Sequence, residues 1–87
     1  MDFEWDEAKR KANLAKHGLD FADADQFDWM RATFVPDLRA DYGEDRFRAY
    51  AMMNGVLCSA AFTYRGDVVR LLSLRRANRK ERKAYVR

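Results

Sequence analysis

The spacing of apolar and polar positions changes once along the chain, from a helical period to a period of two. Residues 6–18 read as a helix. Asp6 is a good N-cap, Glu7 suits the first turn, and Ala8-Lys9-Arg10-Lys11-Ala12-Asn13-Leu14-Ala15-Lys16 lacks β-branched side chains. Gly18 ends it in the left-handed cap position, with Lys16 and His17 at the negative end of the helix dipole. Ala8, Ala12 and Ala15 share one face, which predicts a cover helix packed closely on a sheet. Asp20 caps a second predicted helix through Phe27, with Phe21, Ala24 and Phe27 as its apolar stripe.

From Ala32 onward strands are expected. Thr33-Phe34-Val35 is a short one stopped by Pro36, and residues 37–43 read as a polar loop. Asn54-Gly55 is the preferred pair for a type I′ hairpin turn between residues 47–53 and 56–64, and Gly66-Asp67 suits type II′ before a third strand from Val68, so a three-stranded antiparallel meander is predicted. The two turns set a register in which Met53 faces Val56, Ala51 faces Cys58, Phe47 faces Phe62, and Phe62 faces Leu71. That face is apolar. The opposite face carries Met52, Leu57, Leu72 and Leu74 at one end, and Arg46, Arg48, Tyr50, Thr63, Arg65 and Arg70 at the other, a cationic patch that predicts an anionic ligand. Strict alternation puts Arg75 on the apolar face, so it joins the patch only if the strand ends or bulges after Ser73. Asn78 and Glu81 form a capping-box pair that opens a basic helix over 78–86, anchored by Ala77 and Tyr85. The expected fold is α+β: two N-terminal helices, a twisted antiparallel sheet of three to four strands, and a basic C-terminal helix.

Length and composition narrow the classes. Eighty-seven residues and 10.3 kDa support one core, so residues 1–87 are expected to form a single domain. With 48% hydrophobic and 36% charged residues the chain should fold, and it has no apolar run near the roughly 20 residues of a spanning helix and no secretory signal. A cytoplasmic protein with no membrane partner is expected. The single cysteine, Cys58, cannot form an internal disulfide, and one cysteine with one histidine cannot build a four-ligand zinc site, so no cofactor is expected. The net charge of +3 hides a gradient from −6 over residues 1–45, through +2 over 46–69, to +7 over 70–87. An anionic partner on the basic side follows.

The inventory of reactive groups is short. Strand alternation turns Cys58 into the core, no motif surrounds His17 with a nucleophile and an orienting acid, and no GxGxxG or GxxxxGK[ST] loop is present. Two-metal chemistry would need acids converging near the patch, and only Glu44, Asp67 and Glu81 lie near it in sequence, which disfavours a metal nuclease. What remains fits a metal-independent ribonuclease, which attacks with the 2′-hydroxyl of RNA itself and needs a base, cations for the phosphorane oxygens and an acid. Arg65, Arg70 and Arg75 are candidates for phosphate, His17 for proton exchange, and Tyr85 for proton transfer or base stacking. Lys16, Arg46, Arg48, Arg70 and Arg79 are the candidates to hold the RNA backbone. The same surface would serve a non-catalytic nucleic-acid binder or a module that docks an acidic protein, and composition does not separate these readings.

Several blocks resemble a known family. Asp2-Phe3-Glu4-Trp5-Asp6-Glu7-Ala8-Lys9, Asn13, Lys16-His17-Gly18 and Phe21 are similar to the amino-terminal signature of the BrnT toxins. Gly43-Glu44-Asp45-Arg46, Thr63-Tyr64-Arg65, and Ser73-Leu74-Arg75-Arg76-Ala77 followed by Arg79, Glu81, Arg82 and Tyr85 resemble that family's later blocks, with Leu19 and Leu74 as conservative departures. The resemblance implies a RelE-like ribonuclease fold, RNA cleavage that stops translation, and a toxin of a bacterial type II toxin-antitoxin system. It further implies a BrnA-type antitoxin with a ribbon-helix-helix domain, through which a hetero-oligomer of the two would bind operator DNA. Among site residues it favours Arg65, Arg75 and Arg76 as catalytic, with Tyr85 and His17 beside them.

Overall fold

The computed structural model describes residues 1–85. Its two hairpin turns adopt the backbone that their residues favour. Asn54 and Gly55 both have positive φ, 51° and 81°, as a type I′ turn requires, while at the second turn only Gly66, at 62°, does, as in type II′. The turns join β3 (Phe47–Met53), β4 (Val56–Arg65) and β5 (Val68–Arg76), in the expected register from Met53 opposite Val56 to Phe62 opposite Leu71. Thr33-Phe34-Val35 forms a strand, β2 (Thr33–Pro36), antiparallel to β3 at the sheet edge, where proline forfeits no interior ladder bond.

The fifth strand was not expected. β1 (Asp2–Glu4) runs parallel to β5 at the other edge, giving the order β1-β5-β4-β3-β2. Three residues carry too little alternation to announce a strand, and parallel pairing is joined through elements far apart in sequence. The expected wholly antiparallel sheet of three to four strands is thus corrected to five strands with one parallel edge.

The helical segments also differ from expectation. α1 (Glu7–His17) is capped as its ends predict: the Asp6 side chain accepts from the Lys9 N–H at 3.1 Å, and Gly18, at φ 71°, donates to the Leu14 carbonyl. The second helix is instead a 3-10 segment, Phe21–Gln26, followed by another, Trp29–Arg31. Its buried residues Phe21, Ala24 and Phe27 recur every third position, which lines up one face at 3.0 residues per turn and drifts at 3.6.

These 3-10 segments cover the apolar face. Phe21, Phe27, Ala49, Cys58, Ala60, Phe62, Val69, Leu71 and Leu74 form the core, with Trp29 edge-on to Phe62 and its indole N–H donating to the Ala24 carbonyl at 2.8 Å. Burial pushes the Cys58 thiol pKa up, consistent with an inert core position. α2 (Arg79–Tyr85) crosses the other face, and Val86, the expected end of this helix, lies outside the described residues. Among the described residues no helix is long and apolar enough to cross a membrane.

α1 attaches in an unexpected way. Ala8, Ala12 and Ala15 are exposed, and the face turned to the protein carries Arg10, Asn13 and His17. Asn13 is buried, because beyond β1 the edge of β5 lacks a strand partner and needs another source of hydrogen bonds. The Asn13 carboxamide supplies them: it accepts from the Leu74 N–H at 3.0 Å, and its Nδ2 donates to the Leu74 carbonyl at 2.8 Å and to the Leu19 carbonyl at 2.9 Å. One side chain thus replaces one residue of a missing strand. Replacing it strands two buried backbone groups, so Asn13→Ala should lower unfolding free energy by about 2–4 kcal/mol. Chemical denaturation measures this; a loss below about 0.5 kcal/mol would show that the clamp does not hold the edge.

Candidate functional site

The outer face of the sheet is set by an irregularity in β5. Ala61 pairs with Ser73 but Phe62 pairs with Leu71, so Leu72 is an extra residue in the strand. The bulge lies before Ser73 rather than after it, and it reverses the alternation from there on. Leu74, expected on the outer face, is fully buried opposite Ala60, and Arg75 emerges on the outer face opposite Ser59.

This places Tyr50, Ser59 and Arg75 in one row across β3, β4 and β5, with Arg48 in the next row along. Arg48 is half-buried and donates to Ser59 Oγ at 2.9 Å. Burial, with the nearby Arg75 and Arg39 charges, lowers its pKa. No carboxylate lies within ion-pair distance of it among the described residues. Arg48, Tyr50 and Arg75 line a groove of about 340 Å³, together with Asn78 and Glu81 from the base of α2 and with Asp37 and Arg39 from the loop after β2. Asp37 is held at about 2 chiefly by hydrogen bonds from Arg39, and its N–H donates to the Arg46 carbonyl, which pins the loop into β3.

Glu81 is the hub of the groove. Its carboxylate accepts from Arg75 at 2.7 and 3.0 Å, from the Tyr50 hydroxyl at 3.0 Å and from the Asn78 N–H at 2.9 Å. Asn78 Oδ1 in turn accepts from the Glu81 N–H at 2.8 Å, completing the capping box. Arg75 above all holds the Glu81 carboxyl at about 2. Burial first, then the bond to Glu81, raises the Tyr50 pKa, so this phenol keeps its proton at neutral pH. The Tyr85 ring stacks on Tyr50 at 4.1 Å between centroids and 7° between planes.

A family model for the ribonuclease toxin BrnT of type II toxin-antitoxin systems matches residues 5–81. The chain belongs to the BrnT family. Ribonuclease activity, an RNA target and a partner antitoxin come with that membership. A comparison with individually curated proteins returned no match.

Within the BrnT fold the residues singled out from sequence fall into groups. Arg75 and Arg48 meet at the groove, and Tyr85 stacks on Tyr50 without lining it. His17 and Lys16 line a separate recess with Ser73, which has no lining residue in common with the groove, though His17 is close enough to Arg75 to feel its charge. Arg65 and Arg46 share Glu44, at 3.6 and 3.2 Å, and Arg70 pairs with Glu4, its partner in the parallel register. Arg65 is six residues along β4 from Ser59, about 20 Å at 3.3 Å per residue, so it cannot share one phosphate with Arg75. The expected patch of Arg46, Arg48, Arg65 and Arg70 is therefore divided. Arg76 is exposed and opposite Cys58, toward the other face, and Arg79 is exposed at the start of α2. Sequence reasoning left Glu81 as a mere cap, Tyr50 as a patch residue and Arg39 as loop. The capping-box pattern was the available signal for Glu81, since it fixes that carboxylate at the base of α2, near the strand arginines.

The depressed Glu81 pKa makes a directional prediction. A carboxyl whose pKa falls on folding stabilises fully above its ordinary value of 4.5 and loses that contribution as pH falls toward about 2. Glu81→Gln should therefore unfold at lower temperature than the parent near neutrality, with the difference closing as the pH drops through that window. A constant difference would place its origin in packing rather than charge.

Proposed function

We propose that this groove cleaves RNA without a metal ion, by attack of a ribose 2′-hydroxyl on the adjacent phosphate. Arg48 carries the reading: it is a half-buried guanidinium facing a groove with, among the described residues, only a serine hydroxyl for a hydrogen-bond partner, a cation whose desolvation cost an arriving phosphate would offset. Arg75, held in place by Glu81, contributes a second guanidinium to the same phosphate, and Arg39 stands at the rim.

Proton transfer falls to neighbours. His17 takes the 2′-hydroxyl proton; burial, helped by Lys16 and Arg75, lowers its pKa below 6.5, so the imidazole is in its basic form at neutral pH. The new O2′–P bond forms as the P–O5′ bond breaks, and the Tyr50 hydroxyl gives its proton to O5′, leaving a 2′,3′-cyclic phosphate and a 5′-hydroxyl. Arg46, Arg65, Arg70, Lys16 and Arg79 guide the flanking backbone. The reading extends to a RelE-like ancestry for the sheet and to a cytoplasmic site of action. A BrnA-type ribbon-helix-helix antitoxin covers the basic surface and carries the operator-DNA contact of the complex.

With wild-type protein in excess chelator, RNA should be cut to cyclic-phosphate ends, and Arg48→Ala should lower kcat/KM by about a hundred- to a thousandfold while retaining the fold. Arg65→Ala should lose less than about tenfold. Intact RNA with wild-type protein overturns the proposal, and equal losses in the two variants overturn the assignment of the groove. In wild-type pH profiles the rate should fall at acid pH with a midpoint below 6.5, and His17→Ala should abolish that limb. A limb unchanged in the variant assigns the base to another group.

A further inference from the structure

A second groove, of about 450 Å³, is larger than the cationic one and differs in character. Its floor is Met52 and Leu57 on the outer face of β3 and β4, and its wall is the stacked pair Tyr50 and Tyr85. Met52 is 46% exposed, a large apolar side chain left open to water inside a concave site. The rim is polar. Arg82 donates to the Ala77 carbonyl and has no carboxylate within ion-pair distance among the described residues, whereas Arg31 pairs with Asp28 at 3.2 Å. The volume lies within the about 300–1,000 Å³ of small-molecule sites.

Tyr50 belongs to both grooves: it lines the apolar one and lines the cationic one beside Arg48 and Arg75. An occupant must therefore suit an apolar floor, an aromatic wall and a rim with two guanidiniums and one carboxylate, immediately beside a phosphate site. A nucleobase meets each demand. Its faces pack on thioether and ring, its ring acceptors meet Arg82, its N–H groups meet Asp28, and its sugar is joined to the phosphate next door. An acidic peptide would gain from Arg82 but would meet the Asp28 carboxylate at the same rim. We infer that this groove seats the base of the nucleotide flanking the phosphate held by Arg48 and Arg75, and so sets which RNA sequences are cut. This inference rests on the ribonuclease reading of the neighbouring groove.

The test uses a short RNA carrying one abasic ribonucleotide at either position flanking the cut, with wild-type protein and with Met52→Glu, whose side chain lines only the apolar groove. Removing the seated base should lower wild-type kcat/KM by about tenfold or more, and by less than about twofold in Met52→Glu. Equal cutting of abasic and intact RNA by wild type, or the same abasic loss in both proteins, overturns the inference. A second measurement keeps it separable from the catalytic reading. The Met52 methyl resonance should shift on adding a nucleoside 5′-monophosphate but not ribose 5-phosphate, whether or not the protein cuts RNA; no shift, or equal shifts, also overturns it. If Met52→Glu instead abolishes antitoxin binding and leaves the abasic loss intact, the groove is a protein-docking face and the base assignment is wrong.

Discussion

A single extra residue, Leu72, determines which side chains of β5 face the core and which face the groove. Without it, Leu74 would point to solvent and Arg75 into the packed aromatic and aliphatic side chains below the sheet. Burying one leucine stabilises by about 1.5–3 kcal/mol, and burying an unpaired guanidinium costs more than that, so both ends of the exchange favour the bulge. Leu71 and Leu74 are three apart, a spacing that no unbroken strand can turn inward twice. The bulge in turn needs its edge closed. Asn13 does this at Leu74 itself, fixing α1, and with it His17, against the part of β5 that bears Arg75.

Charge follows the same logic of placement. The acidic front half does not face the basic tail as one block. Glu4 and Glu44 neutralise Arg70, Arg46 and Arg65 at one end of the sheet, while at the other Glu81 and Asp37 each take one arginine and leave Arg48 with no acidic partner among the described residues. A net count of +3 conceals this. What distinguishes the groove from the rest of the basic surface is compensation, since arginines already paired with acids gain little from an added phosphate and a half-buried one without an acidic partner among the described residues gains much.

The parts of the fold legible in the sequence are those fixed by local chemistry. Asn54-Gly55 and Gly66-Asp67 could turn in few ways, and they dated the register of three strands; Asp6 and Gly18 marked the ends of α1. The misreadings arose where distant segments decide. β1 is too short to show a period and exists because β5 offers it an edge. The alanines of α1 looked like a packing face, yet a buried asparagine makes the attachment, because the sheet edge demanded hydrogen bonds more than apolar area. Phe21, Ala24 and Phe27 were identified as a buried stripe while their helix type was not, although the threefold spacing already favoured 3-10 geometry. At the site, Arg75 was legible through its conflict with alternation. The pairing of Arg65 and Arg70 with acids far away in sequence was not.

In the proposed reaction Arg75 and Arg48 divide the work that one free arginine would do poorly. The Glu81 carboxylate engages both terminal nitrogens of Arg75, which immobilises the guanidinium and partly cancels its charge. Arg48 keeps its charge, and its bond to the buried Ser59 hydroxyl supplies direction without neutralisation. The proposed cleavage would need both properties, because a donor must be in position before the phosphorane forms and must still carry field when it does. A fully paired groove would be ordered but weak, and an unpaired one would be repulsive and mobile. The capping box of α2 resolves this by delivering one carboxylate to two arginines' worth of charge, with Tyr50 and Tyr85 sealing it from solvent on the side where the apolar groove begins.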